Sequence, residues 1–446
     1  MYVVVKSLLI DPGLTPLRAA RLIGDTLSDI ANSPDATFGD ELRLLGYTVT
    51  PSTVRPGDRL RVDLYWKALK PLTANYQAEV GIADAEGWLW SPKHADRPRD
   101  YNSFPSMPEW PLDGYAVDSF EVEVLPGAPP GEYDLVVQVF DRETLAPLLP
   151  GTLSAPIGRI RVDRAARSFD ADELRIYGGE RHELDDDLTL LGYNIDRVEG
   201  VPGESVLLTF FWQADQRPQI DRSFRIELVD SSGNVLSSSV LPVGNESYRT
   251  SRWEAGEQVV SLAPLRVPAA APSGEYHWRA VLLDDVGRPA YGVDMQPILR
   301  VAAPARTFDV PPIENRIDVG VGDFATLLGF HVPSDTFAPG DTIDLTLFWQ
   351  PRAETSTSYK VFVHVLDEAG RIVAQADAMP LNGERPTTGW LPHEVIPDRH
   401  AIPLPDDLPR GLYRIQAGLY DVDGGVRLKT SEGADSIILT DIDVKQ

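Results

Sequence analysis

Leu44-Leu45-Gly46-Tyr47, Leu190-Leu191-Gly192-Tyr193 and Leu327-Leu328-Gly329-Phe330 open three stretches of this chain that read alike. A turn follows each: Arg55-Pro56-Gly57-Asp58, Val201-Pro202-Gly203-Glu204 and Ala338-Pro339-Gly340-Asp341. Proline then glycine suits a type II turn, because proline sets φ at the first central position and glycine accepts positive φ at the second. The strands that follow, RLRVDLYWKA, SVLLTFFWQA and TIDLTLFWQP, carry Trp66, Trp212 and Trp349 near their ends. In the first, Leu60, Val62, Leu64 and Trp66 share one face while Arg61, Asp63, Tyr65 and Lys67 share the other. That period of two belongs to a half-buried strand, so the tryptophans are expected to point inward.

The likeness continues downstream. Eighteen residues after each tryptophan (84−66, 230−212, 367−349) comes Asp84-Ala85-Glu86-Gly87, Asp230-Ser231-Ser232-Gly233 or Asp367-Glu368-Ala369-Gly370, the chemistry of a tight hairpin. Trp110, Trp253 and Trp390 then precede by 21 residues (131−110, 274−253, 411−390) the glycine of Gly131-Glu132-Tyr133, Gly274-Glu275-Tyr276 and Gly411-Leu412-Tyr413. Each of those glycines opens a long strand, and its tyrosine resembles the tyrosine corner of immunoglobulin-type sandwiches.

Repetition at so long a period decides the architecture. With about seven short strands per copy, divided by Gly, Pro and Asp turns, the expected fold is all-β: three tandem antiparallel β-sandwich modules, immunoglobulin-like, with one short N-terminal helix. The expected boundaries are a lead-in at 1–40, modules at 41–163, 188–302 and 325–446, and linkers at 164–187 and 303–324. Proteases should cut first in those linkers. The helix is expected from Thr15 as N-cap and Pro16 at the first helical position, with Leu17, Ala20, Ile23, Leu27 and Ile30 on one face. Residues 2–10 read as the end of a domain absent from this chain.

Composition narrows the partners. The 446 residues carry 41 basic and 67 acidic side chains, a formal charge of −26, which repels nucleic acid and anionic bilayers. There is no cysteine, which excludes disulfides, thiolate metal sites and cysteine nucleophiles. No run approaches the ~18 apolar residues of a membrane span. The opening MYVVVKSLLIDPG has neither a basic leader nor a cleavage site, so if the protein is exported its signal or anchor is expected to lie outside this sequence.

Catalytic signatures are missing: there is no Gly-x-Ser-x-Gly, no His-Glu-x-x-His and no Gly-Lys-Ser/Thr phosphate loop. Gly320-Val321-Gly322-Asp323-Phe324-Ala325 fits a loose dinucleotide pattern but leads into a strand, the wrong context for it. The seven histidines show no ligand spacing, and His393 and His400, near Trp390, read as surface-loop residues. Asp421-Val422-Asp423-Gly424 resembles half a calcium loop, yet Glu432 is out of register, so a plain hairpin is expected. Neither cofactor nor metal is expected, and no enzymatic activity.

Aromatic residues point to binding instead. Trp88, Trp90, Tyr101, Phe104, Trp110 and Tyr115 fall within 28 residues (115−88+1). Exposed rings stack on the apolar faces of sugars. The expected ligand surface is therefore Trp88, Trp90, Tyr101, Trp110 and Tyr115, taking a glycan or an envelope protein. For Trp110, Trp253 and Trp390 the competing expectation is that each closes the open edge of its own sandwich.

The recurring run of Leu-Leu-Gly-Tyr, Pro-Gly-Asp and Gly-x-Tyr, the last extended in the third copy to Gly-x-Tyr-x-x-x-x-x-Leu-Tyr-Asp, resembles the sandwich modules that follow the membrane portion of some bacterial glycosyltransferases using lipid-linked sugars. The likeness covers residues 41–446. It is strongest at Val361-Phe362-Val363-His364-Val365-Leu366-Asp367 and Pro386-Thr387-Thr388-Gly389-Trp390. It implies an extracytoplasmic, cell-surface accessory region attached to a membrane domain that this chain lacks, and it transfers no catalytic residue. The expected function is non-catalytic: binding glycan or protein, or spacing a membrane glycosyltransferase from the envelope. A passive spacer and an unrecognised hydrolase are the alternatives.

Overall fold

A computed structural model of the chain describes residues 22–23, 26–27, 30, 32–34, 36–72, 74–92, 110, 112–142, 148, 155–422 and 425–445. Among the described residues the regular structure is strand, with short 3-10 turns and no α-helix. The chain forms two compact units, one of Met1–Asn194, Thr209–Arg222 and Pro242–Leu262, the other of Ile195–Leu208, Ser223–Leu241 and Ala263–Gln446. The division falls inside the second stretch, at neither expected linker.

In the first unit one sheet orders Ala36–Phe38, Leu42–Thr50, Arg59–Ala68 and Ala116–Glu123, and another orders Thr53–Val54, Ala155–Val162, Gly131–Asp141 and Tyr76–Ala83. The second unit repeats the scheme with Asn315–Val321, Ala325–His331, Thr342–Pro351 and Ile396–Pro403 in one sheet. Its companion sheet orders Thr336–Phe337, Ile437–Val444, Gly411–Asp421, Tyr359–Leu366 and Ile372–Ala378. In both cases the two-residue strand pairs parallel with the last strand of its copy. Trp66, Trp212 and Trp349 are buried, as the alternation of their strands requires.

The Leu-Leu-Gly-aromatic run is a β-bulge, with register shifts between Leu44 and Gly46 and between Leu327 and Gly329. A bulge adds one residue to one strand and re-aims those beyond it. Leu42, Leu44 and Tyr47 therefore share the core, while Leu45 joins a separate cluster with Tyr65 and Tyr115. The glycine is dictated by space. A Cβ at Gly46, Gly192 or Gly329 would stand 2.8, 2.5 or 2.7 Å from Cγ2 of Ile30, Ile176 or Ile313. It would also stand 2.9, 3.0 or 2.2 Å from the carbonyl oxygen of Asn32, Gly178 or Asn315. Each isoleucine precedes its glycine by 16 residues (46−30, 192−176, 329−313). An upstream segment thus lies across the opening strand of every copy.

In the second and third copies that segment falls within the expected linkers, 164–187 and 303–324, whose residues pack against the sheets. Phe169 and Leu174 are buried in the same core as the first pair of sheets. The Phe169 N–H donates to the Gln258 side-chain oxygen at 2.6 Å, and the Gln258 amide donates back to the Phe169 carbonyl at 3.0 Å. In the second unit, Arg306 pairs at 2.6 Å with Glu394, which is fully buried and also holds Arg385. The two connectors share a device. Arg164 donates to the Arg252 carbonyl at 2.7 Å, and Arg306 to the Gly389 carbonyl at 3.2 Å, each one residue before a loop tryptophan, Trp253 or Trp390.

The N-terminal helix is also corrected where residues are described. Leu22–Ile23 pairs antiparallel with Thr26–Leu27. This ladder stands where Ile23 and Leu27 are expected to share a helix face. Thr15, Pro16, Leu17 and Ala20 lie outside the described residues.

Two outcomes test these connectors. Glu394→Ala leaves two arginines facing a dry interior, a change that costs about 3–5 kcal/mol; denaturant unfolding of the variant reads it as an early transition. Glu173 accepts hydrogen bonds from the Arg167 guanidinium and the Asp170 N–H, which hold its carboxyl down to about 2. Because its folded value is depressed, its contribution is present above the unfolded carboxylate range and is lost as pH falls toward 2. Carboxyl NMR titration of Glu173 checks this.

Candidate functional site

The expected aromatic platform does not assemble among the described residues. Trp90 is 4% exposed and its indole N–H donates to Asp84 Oδ2 at 2.8 Å. The same carboxylate takes the Trp88 backbone N–H on Oδ1 at 2.8 Å, so the hairpin turn itself consumes Trp90. Its backbone N–H donates to the Ile82 carbonyl at 2.7 Å, fastening the segment to the sheet. Trp110 and Tyr115 are buried, the first in the main core and the second against Leu45 and Tyr65. Trp88 is half-buried against the core. Tyr101 and Phe104 lie outside the described residues. Trp253 and Trp390 are fully buried, their indoles donating to the Tyr248 and Arg385 carbonyls at 3.1 and 2.9 Å. The Trp253 and Trp390 rings thus belong to the interior.

A different feature stands out in the second unit. A groove of about 770 Å³ is bounded by Ile372–Ala378, the 3-10 turn Pro380–Gly383 and Ile396–Pro403. His331 is paired with Thr346, and Thr346 with Arg399, across three antiparallel strands. Directly opposed residues project to the same face of a sheet, so these three side chains form a row, with Asp344 two positions along. The alternate residues Ile343, Leu345 and Leu347 are buried in the core. The strand sequence thus turns one face to the core and offers the other, polar, face to the groove.

The rim is held in an uncommon conformation. Leu381 and Asn382 have φ of 49° and 54°, in the left-handed region. Asp398, fully buried, fixes this turn: Oδ1 accepts the Leu381 N–H at 2.8 Å, and Oδ2 lies 2.7 Å from His400 Nε2. The second copy has the same pin, in which the Gly244 N–H donates to Ser261 Oγ at 2.8 Å. Gly244 and Leu381 both stand nine residues before the loop tryptophan (253−244, 390−381). His400 is therefore a buried strand residue serving this pin, not the surface-loop residue expected of it, whereas His393 is exposed.

Asp344, Thr346, Gln375, Asn382 and Arg399 line the groove with side chains that make no hydrogen bond or ion pair among the described residues. The equivalent row in the first copy, Thr48, Asp63 and Ser119, is closed on itself. There Asp63 accepts from Ser119 at 2.6 Å, Arg61 at 2.9 Å and Thr48 at 3.4 Å. The third copy thus keeps free a guanidinium, two amides, a hydroxyl and a carboxylate. Asp377, also on the groove, lies 3.4 Å from His364. Burial, with the Asp377 charge adding to it, pushes Tyr420 up to about 12, so its phenol keeps its proton at neutral pH. Among the described residues no group of three or more His, Cys, Asp or Glu is placed to hold a metal ion; Asp423 and Gly424 of the calcium-like run lie outside them.

Sequence reasoning missed this groove because outward polar residues on an alternating strand look like any solvated face. The legible sign was Asp398 and His400 at inward positions of IPDRHAIP, polar where the alternation demands apolar. Replacing Trp90 by Phe tests the corrected role of that ring: loss of the bond to Asp84 costs about 1 kcal/mol in stability, measured by thermal unfolding, and leaves binding at the groove unchanged.

No protein-family model matches the chain, and no curated protein matches it. Among solved structures it aligns with one described as "Putative membrane anchored protein from Corynebacterium diphtheriae", at 11% identity over 91% of this chain and 94% of that one, with a TM-score of 0.17. A likeness at that TM-score carries no weight for fold or function. No helix among the described residues is long and apolar enough to cross a membrane.

Proposed function

We propose that this chain is a non-catalytic, extracytoplasmic binding region built of three immunoglobulin-like modules, whose third module holds a hydroxyl-rich ligand of glycan type in its polar groove. The single observation that carries the reading is that Thr346 and Arg399 of the row are uncommitted, with Asp344, Gln375 and Asn382 beside them, where the first copy satisfies its own row. Donors and acceptors held on a rigid sheet suit ligands that present both, as sugars do. The modular reading is supported by the recurring strand order and by three tyrosine corners. Tyr133, Tyr276 and Tyr413 donate to the carbonyls of Pro129, Pro272 and Pro409 at 2.6, 2.8 and 2.7 Å. Attachment to a membrane glycosyltransferase is part of the proposal and rests on the sequence resemblance alone. The packed connectors favour a second contribution, that of a spacer.

Calorimetry of the full chain against neutral envelope oligosaccharides tests it. Affinity should be micromolar to millimolar, because an open groove buries little area and must order its ligand. Arg399→Ala should weaken it at least about tenfold, the loss of one charge-assisted contact, without moving the melting temperature. Trp88→Ala should leave it unchanged. Absence of binding to every such glycan, or equal binding by the Arg399 variant, contradicts the proposal.

A further inference from the structure

Val235–Pro242 ends the strand order of its sheet, next to Ser223–Asp230, so one of its edges is unpaired. An open edge presents a row of unsatisfied N–H and C=O groups, which proteins usually guard with charge, proline or a covering segment. Here the guard is thin. From Ser231 to Asn245 there is no Asp, Glu, Lys or Arg, in a chain that is 24% charged, and Pro242 stands only at the strand's end. Val235 and Val240 are exposed, as are Ser238 and Ser239. The matching strand of the third copy, Ile372–Ala378, carries Asp377 and is occupied as a wall of the groove.

The pattern Val235-Leu236-Ser237-Ser238-Ser239-Val240-Leu241 is the same by residue class in both directions. Centred on Ser238, an antiparallel pairing of the strand with itself sets Ser237 against Ser239, Leu236 against Val240 and Val235 against Leu241. A two-fold contact requires a self-complementary patch, and this segment is one. Charge restricts the choice further. Two chains of −26 each repel, and that repulsion is smallest where a 15-residue stretch (245−231+1) bears no charge. We infer that a second copy of this chain pairs along Val235–Pro242, edge to edge and antiparallel, about a two-fold axis at Ser238. The inference is independent of the ligand. If the groove also binds as proposed, the pair presents two grooves and gains avidity on a repeating glycan.

Ser238→Cys tests it cleanly, because the chain has no cysteine of its own. Opposed residues of an antiparallel pair have Cα atoms about 4.5–5.5 Å apart, within the span of a disulfide. Mild oxidation should convert this variant to a covalent dimer many times faster than Ser168→Cys, an exposed control. Sedimentation of the unaltered chain should show reversible dimers that strengthen with added salt, as screening predicts, and Val240→Lys should hold the chain monomeric with its melting temperature unchanged. A monomer at every concentration and salt level overturns the inference. So do dimers that persist in the Val240 variant, or cross-linking of Ser238→Cys no faster than the control.

Discussion

A backbone carbonyl resting where a side chain would otherwise be is the constraint on which much of this structure depends. At Gly46, Gly192 and Gly329 the opening strand has no Cβ, and the carbonyls of Asn32, Gly178 and Asn315 occupy the space. The upstream segment can then lie flat on the strand and extend its sheet. Tyr47 and Tyr193 take up two of these carbonyls through their N–H groups, each at 3.0 Å. Each copy therefore begins well before its most recognisable residues, and the proline-rich stretches between copies become part of the fold.

The same economy governs the joints. Pro202-Gly203 meets Thr388-Gly389 so closely that a Cβ on Gly203 would fall 2.1 Å from the Gly389 nitrogen, and the Thr388 hydroxyl donates to the Gly203 carbonyl at 2.7 Å. The Pro386-Thr387-Thr388-Gly389-Trp390 run is thus a seat for a neighbouring turn. Thr387 adds to it by accepting the Tyr359 N–H at 2.9 Å. Arg306, Arg385 and Glu394 complete it from beneath. A buried carboxylate held by two arginines adds less net stability than its charges suggest, and its value lies in fixing one geometry at the joint.

Much of the strand pattern was legible in the sequence because period-two alternation, Pro-Gly turns and Asp-x-x-Gly hairpins act over a few residues. The inward tryptophans and the tyrosine corners follow from the same local rules. What was not legible depends on contacts between residues far apart in sequence. The connectors looked like linkers because their anchors are single residues, Phe169, Arg164 and Arg306, whose partners lie more than 80 positions away (258−169, 248−164, 394−306). The aromatic cluster around Trp88 misled because nothing local shows that an indole N–H is already spent on Asp84. The groove escaped notice because Thr346 and Arg399 become neighbours only through the pairing of their strands.

The stretches between the copies pack against the sheets they adjoin, so their bonded amides are shielded from solvent. Hydrogen-exchange mass spectrometry of residues 164–187 and 303–324 in the intact chain reads this shielding. The amides bonded there, Phe169 to the Gln258 side chain and Gly322 to the Lys429 carbonyl, are expected to exchange as slowly as those of neighbouring strands. Exchange of both stretches at the rate of an unstructured peptide would contradict it.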